Sequence, residues 1–193
     1  VNVIPVPLDS PVPVAGLVAL ISILLIQRIA ELRISARHLE RLLARGAVEF
    51  GHSHFPGFVL LHLALPVSLT FEVIAGGARP PTAWPWLLPP LALASLLRIA
   101  AIRSLGDRWH VRVWVVPGAP PVRSGIYRWI AHPNYLAVVI ELALAPLLIG
   151  AWRTALAASL VNATLVSIRL RVEERSLRWA AAGAAPAPNA PRT

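Results

Sequence analysis

Long apolar runs separated by clusters of arginine set the pattern of this chain. Five runs stand out, at about residues 12–29, 55–74, 84–102, 135–152 and 154–170. A membrane-spanning helix needs about 17–25 largely apolar residues, so each run is long enough to cross a bilayer. The first is marginal, because its uninterrupted part stops at Ile26. Pro66, Pro89, Pro90 and Pro146 fall inside these runs. Neighbouring helices can satisfy the carbonyls that proline frees, so kinks are expected there rather than helix ends.

The polar positions between the runs supply an orientation. Arg28, Arg33, Arg37, Arg41 and Arg45 follow the first run, and Arg103, Arg108, Arg112, Arg123 and Arg128 follow the third. Arg169, Arg171, Arg175, Arg178 and Arg192 lie at or beyond the end of the fifth, whereas the other two connections carry only Arg79 and Arg153. Under the positive-inside rule this asymmetry predicts five spans, with the N-terminus outside and the C-terminus in the cytoplasm. The N-terminal VNVIPVPLDSPVP has no basic leader region, so no removable signal peptide is expected.

Arg33, Arg37, Arg41 and Arg45 recur every fourth residue and draw one stripe on a helix. That stripe fits either an interfacial helix on anionic headgroups or a solvated linker helix. The connection over 104–126 contains WHVRVWVV, which alternates like a strand, and PGAPP, which reads as a turn. A short cytoplasmic hairpin before the fourth span is predicted. Gly118 and Gly125 in this connection would allow close backbone approach to a ligand. From Ala180 the sequence AAAGAAPAPNAPRT is low in complexity and is expected to be a disordered tail, leaving 1–179 as one membrane-embedded domain.

Composition agrees with an all-α integral membrane protein. Of 193 residues, 56% are hydrophobic and 14% charged, against about 25% charged in soluble domains. Without cysteine, disulfides and thiolate metal sites are excluded. All 18 basic residues are arginine, and the net charge is +9. Because these arginines flank apolar runs, a membrane surface is the expected partner and nucleic acid is not.

Several polar residues stand inside or beside the spans, where charge is costly and points to a function. Asn162, Arg169 and Glu173 are seven and four residues apart and share one helical face. They form either a bundle-facing site or, for the last two, an ion pair at a helix end. Glu141 lies on the same face as Asn134 and is open to both readings. Glu72 and Arg98 read as a structural pair that joins helices. His52, His54 and His62 surround the start of the second run without a metal-ligand spacing, so no metal is expected. One of them could assist deprotonation of an acidic hydroxyl. No Rossmann fingerprint, P-loop or nucleophile elbow occurs.

The densest polar knot is GIYRWIAHPNYLA, 125–137, followed about 40 residues later by RLRVEERSL. Together these resemble the isoprenylcysteine carboxyl methyltransferase family, over roughly 109–179. The resemblance implies an S-adenosylmethionine-dependent methyltransferase whose cofactor lies between the hairpin and the last two helices. By position, Tyr127, His132, Pro133, Asn134, Tyr135 and Glu173 would line the cofactor site, and 119–122 (Ala119 to Val122) would lend backbone contacts. Arg169 matches a position on the acceptor side, so Arg169 and Glu173 are the expected catalytic pair. Asn162, Glu141 and His54 are further acceptor candidates. One departure matters: Ala131 stands where the family usually carries arginine, a charge that Arg128 or Arg112 could replace.

The implied acceptor is a lipophilic small molecule or membrane lipid, methylated on a carboxylate or on a pyrone or phenol hydroxyl. The stretch 31–62 resembles members associated with alkylpyrone and alkylresorcinol pathways. The competing readings are an NADPH-dependent reductase of the sterol-reductase type, a phospholipid N-methyltransferase and a non-catalytic lipid-binding protein. The short chain resembles prokaryotic members, which places it in a prokaryotic cell membrane with its site toward the cytoplasm.

Overall fold

The computed structural model describes residues 11–182. Helices α1 (Pro11–Ala44), α2 (Phe55–Ile74), α3 (Leu88–Leu105), α4 (Pro133–Leu144) and α5 (Trp152–Ala181) form a bundle. The two strands β1 (Val48–Phe50) and β2 (Val113–Val115) cap one end of it. Proline in the first turn starts α2, α3 and α4, where a missing N–H costs nothing. The fold is all-α and of membrane type: four helical stretches, Val14–Ala44, His52–Ile74, Trp84–Arg108 and Trp152–Ala181, are long and apolar enough to cross a bilayer. Their outward faces carry exposed Val18, Ile26, Leu60, Val67, Phe71 and Leu160, as a lipid-facing surface would.

The fourth expected span is shorter than the others. Its helix α4 has 12 residues and continues as a 3-10 turn over Pro146–Ile149. Pro146 removes the N–H that another α-helical turn would need. Gly150 then turns the chain with φ 75°, and a Cβ there would lie 1.9 Å from the carbonyl oxygen of Arg79. The far end of this segment packs against the start of α1, where a Cβ on Gly16 would sit 3.6 Å from Ile149.

Three sequence expectations are corrected. Strand β2 forms, but it pairs antiparallel with β1 from the α1–α2 connection, in the register Val48↔Val115, Glu49↔Trp114 and Phe50↔Val113. The local hairpin is absent because Pro117, Pro120 and Pro121 deprive the chain after the turn of ladder donors. The arginine stripe belongs to α1 itself, which runs unbroken from the apolar run to Ala44. Its Ser35 Oγ accepts the Val111 N–H at 3.2 Å, and Arg41 pairs with Asp107 at 2.5 Å. Finally, Ala180 does not begin a tail. It is buried against Val113 and Val115, and its carbonyl accepts the Gly118 N–H at 3.1 Å. The remainder of that tail, 183–193, lies outside the described residues.

Gly118 and Gly125 both make backbone contacts within the protein. Gly118 serves the contact to Ala180, and Gly125 has φ 58° because it abuts Ser104 of α3, where a Cβ would come within 2.2 Å of Ser104 Oγ. That hydroxyl accepts the Ile126 N–H at 3.2 Å. The contact fixes the 3-10 turn Gly125–Arg128 on the end of α3.

Buried charges hold the bundle together, in pairings other than the one read from sequence. Glu72 does not meet Arg98. It caps α5, accepting the N–H groups of Arg153 at 3.0 Å and Thr154 at 2.8 Å and the Thr154 hydroxyl at 2.7 Å. Arg98 instead clamps Glu141 of α4 through Nε at 3.1 Å and through Nη2, and meets Glu31 of α1 at 3.0 Å. Arg28 binds the other Glu31 oxygen at 2.5 Å, and Gln27 donates to Glu141 at 3.2 Å. Two arginines and two glutamates thus cancel across three helices.

Replacing Arg98 by methionine strands Glu141 in the bundle. Loss of one partner of a buried pair costs about 3–5 kcal/mol. Arg98→Met is therefore expected to lower the thermal midpoint in detergent sharply. An unchanged midpoint would mean that this network does not hold the helices.

Candidate active site

Two cavities, of about 130 and 310 Å³, meet at the capped end of the bundle. The smaller lies under β2 and the loop that follows it, and is lined by Arg108, Arg112, Trp114, Tyr127 and Glu173 among others. The larger runs between α1 and α2 past Leu25, Ile29, Leu32, Val59 and Leu63. Trp109, His110, Asn134, Tyr135 and Arg169 line both and form the wall between them. The smaller chamber is the more polar of the two, the larger the more apolar.

The wall is built where α4 starts beside the middle of α5. Pro133 sets the first turn of α4, with His132 just before it, so Asn134 and Tyr135 project from a fixed backbone. The Tyr135 hydroxyl donates to Glu173 and accepts from Arg169 Nε at 2.9 Å. Arg169 Nη1 donates to the Val111 carbonyl at 2.6 Å, and its guanidinium lies 5.5 Å from the Phe58 ring centroid. No hydrogen bond within the described residues uses Arg169 Nη2. His132 stacks on Tyr135 at 5.6 Å. A buried arginine so anchored keeps one donor available for an oxyanion.

Of the residues singled out in the sequence, Ala119, Val122, Tyr127, His132, Asn134, Tyr135, Arg169 and Glu173 all line the polar cavity. Pro133 stands behind them, buried. Asn162 is buried two helical turns from Arg169 and lines neither chamber. Glu141 also lines neither, because Arg98 and Gln27 occupy its carboxylate. His54 packs edge-on against Phe58 at 6.2 Å, next to the wall but off both linings. Ala131 is exposed. Arg112 does line the polar cavity and is bonded to Glu49 at 3.2 Å, whereas Arg128 lies over Trp129 and does not line it.

The sequence did not single out Trp109, His110, Trp114 or Arg108 as site residues, since WHVR read only as strand. Their sole signal was aromatic and basic alternation. Arg108 donates to the Pro120 carbonyl at 2.7 Å and so braces the loop over the cavity. Burial shifts Tyr127 and His110, two titratable groups of the cap, in opposite directions. Burial, then the Glu173 carboxylate, raises the Tyr127 hydroxyl above the usual phenol range, so it stays a donor. Burial first, then the Arg112 and Arg169 charges, lowers His110 to about 4, so it stays neutral. Its Nδ1 accepts the Arg112 N–H at 2.9 Å.

Two buried polar atoms of the polar cavity lack a partner among the described residues, Asn134 Oδ1, an acceptor, and Trp114 Nε1, a donor. With the Glu173 carboxylate they suit a ligand that carries donors, acceptors and a positive charge. An adenosyl amino acid with a sulfonium centre fits that set.

The fold and the paired chambers define an all-helical membrane protein with a polar site opening onto an apolar one. Residues 87–179 match the isoprenylcysteine carboxyl methyltransferase (ICMT) family. The uncharacterized protein YpbQ of Bacillus subtilis is 36% identical over 159 residues, 82% of this chain and 95% of that protein. An uncharacterized protein of Haemophilus influenzae is 26% identical over 151 residues, 78% of this chain and 88% of that protein. No solved structure matches the chain. The chain belongs to the isoprenylcysteine carboxyl methyltransferase family, a family of membrane methyltransferases.

The folded value of His110, about 4, lies below its ordinary 6.5. Above 6.5 neither folded nor unfolded chain gains a proton here, while between 6.5 and about 4 the unfolded chain binds it first. Stability therefore falls as pH drops through that window. Thermal midpoints in detergent are expected to fall more steeply for wild type than for His110→Asn, which keeps an acceptor for the Arg112 amide. Parallel pH profiles would contradict this.

Proposed function

We propose that the protein transfers a methyl group from S-adenosylmethionine to an oxygen of a lipophilic acceptor at the cytoplasmic face of a prokaryotic cell membrane. The observation that carries the reading is the shared wall: Asn134, Tyr135 and Arg169 touch both a polar and an apolar chamber. Two reactants of opposite solubility would meet there with no need to leave their own phases. The arginine-rich connections support a cytoplasmic site, since 104–126 and the end of α5 build the polar chamber.

Glu173, Tyr127, Asn134 and Trp114 would hold the cofactor, which supplies an electrophilic methyl on a sulfonium. The Glu173 carboxylate offsets positive charge, and the faces of Tyr127 and Tyr135 suit a cation. Methyl transfer is an in-line displacement, so the task of these residues is to align, to desolvate and to exclude water. Tyr135, bonded to both Glu173 and Arg169, keeps the cofactor-side carboxylate and the acceptor-side guanidinium in one fixed relation. The free Arg169 nitrogen would pair with the acceptor oxygen as its charge is consumed. A long-chain carboxylic acid, alkylpyrone or alkylresorcinol would place its tail along Leu25, Ile29 and Val59.

Membranes from cells expressing the protein, given methyl-labelled S-adenosylmethionine, are expected to carry label into a lipid extract. Removal of one charge-stabilising donor typically lowers turnover by about 10²–10³-fold. Arg169→Met should show a loss of that order with the cofactor still bound. Unlabelled lipid, or consumption of NADPH instead, would overturn the reading.

A further inference from the structure

Deeper in the apolar chamber, away from the shared wall, His62 contributes a polar atom that no described residue uses. His62 lies on α2 one turn beyond Phe58, and its Nδ1 is 2.7 Å from the Phe58 carbonyl oxygen. A carbonyl can only accept, so Nδ1 carries the proton and Nε2 presents a lone pair. That Nε2 is buried and has no protein partner among the described residues, and His62 lines the apolar chamber. Buried polar atoms are almost always satisfied, so an orphan in a ligand cavity asks for a donor from the ligand.

The charged groups facing His62 are Arg28 and Glu31 on α1, Arg98 on α3 and Glu141 on α4. Each glutamate is already bonded to arginine, Glu31 to both Arg28 and Arg98 and Glu141 to Arg98. A proton on Nε2 would therefore place an extra, unpaired cation in the bundle. The neutral imidazole with an open lone pair is the form that this environment holds.

We infer that His62 reads the acceptor, and that it selects a lipid bearing a second, neutral hydroxyl beside the reacting one, such as a long-chain resorcinol, over a fatty carboxylate. The inference rests on the proposed methyl transfer and narrows its acceptor. A phenolic hydroxyl beside the reacting one donates to Nε2 and satisfies it. The reacting hydroxyl, at Arg169, loses its proton to solvent through the polar chamber as the methyl passes from the sulfonium to its oxygen and the thioether leaves. A carboxylate has no hydrogen to give and would set its charge against that lone pair, with the cations nearest to it already neutralised. Arg169 at the mouth serves either acceptor, so it does not discriminate. Specificity then comes from the group that goes unpaired when the wrong acceptor enters, which is how buried polar groups reject an analogue lacking their partner.

Two amide variants separate this role from a merely structural one. Asparagine at 62 can reach the Phe58 carbonyl but not the position of Nε2, whereas glutamine can place its amide oxygen there. The purified full chain in lipid nanodiscs would be given S-adenosylmethionine with 5-pentadecylresorcinol or with palmitate. Methyl ether is expected from the resorcinol and no ester from palmitate. His62→Asn should raise KM for the resorcinol about tenfold or more with a small effect on kcat, and His62→Gln should restore it in part. Affinity for S-adenosylhomocysteine, measured by calorimetry, should be unchanged in both. Preference for palmitate, equal behaviour of the two variants, or bound cofactor without transfer to either acceptor would overturn the assignment of His62. Absence of adenosyl binding in wild type would instead remove the proposed function, and this inference with it.

Discussion

Charges carried into a bilayer must find their partners inside the bundle, and that constraint organises this molecule. Glu31, Arg98 and Glu141 come from α1, α3 and α4, and their network is complete only when all three helices are in place. Glu72 does the same for α2 and α5 by capping the start of α5. Apolar contacts alone would let these helices slide, because lipid tails are as good a solvent for leucine as another helix is. Charge pairing fixes their register, and with it the depth of everything at the capped end.

The site inherits that register. Because Arg98 holds α4 through Glu141, the first turn of α4 meets α5 at Arg169, where Tyr135 links Arg169 to Glu173. Above this wall the chain leaves its helices, and β1, β2 and the end of α5 close a polar chamber with Phe50 and Trp179 in ring contact at 5.2 Å. Below it the walls are mainly apolar, with His62, Arg28, Glu31 and Arg98 among them.

Much of this was legible in the sequence, and the parts that were not share a cause. Helical runs could be read because span length and proline placement are local properties. The residues of GIYRWIAHPNY and Glu173 could be placed together because they recur as a family pattern, and eight singled-out residues do line one cavity. Pairing partners are non-local, and no local signal announces them. Strand β2 was visible as alternation, but nothing in it pointed to Val48–Phe50, more than sixty residues earlier. Glu72 and Arg98 were recognised as costly, yet which carboxylate met which arginine depends on helix depth. Glu141 shares a face with Asn134 by spacing, and the structure gives that face two environments, a cavity at one end and Arg98 further along. The same holds for His62, whose significance lies in a lone pair left over after the Phe58 carbonyl takes the other nitrogen.

What occupies the polar chamber decides the chemistry of the protein. Calorimetric titration of the detergent-solubilised full chain with S-adenosylmethionine and with NADPH, wild type beside Glu173→Ala, tests this directly. Binding of S-adenosylmethionine alone, lost or strongly weakened in the variant, is the predicted result. Binding of NADPH instead, or adenosyl binding indifferent to Glu173, would contradict the residue roles assigned to the chamber.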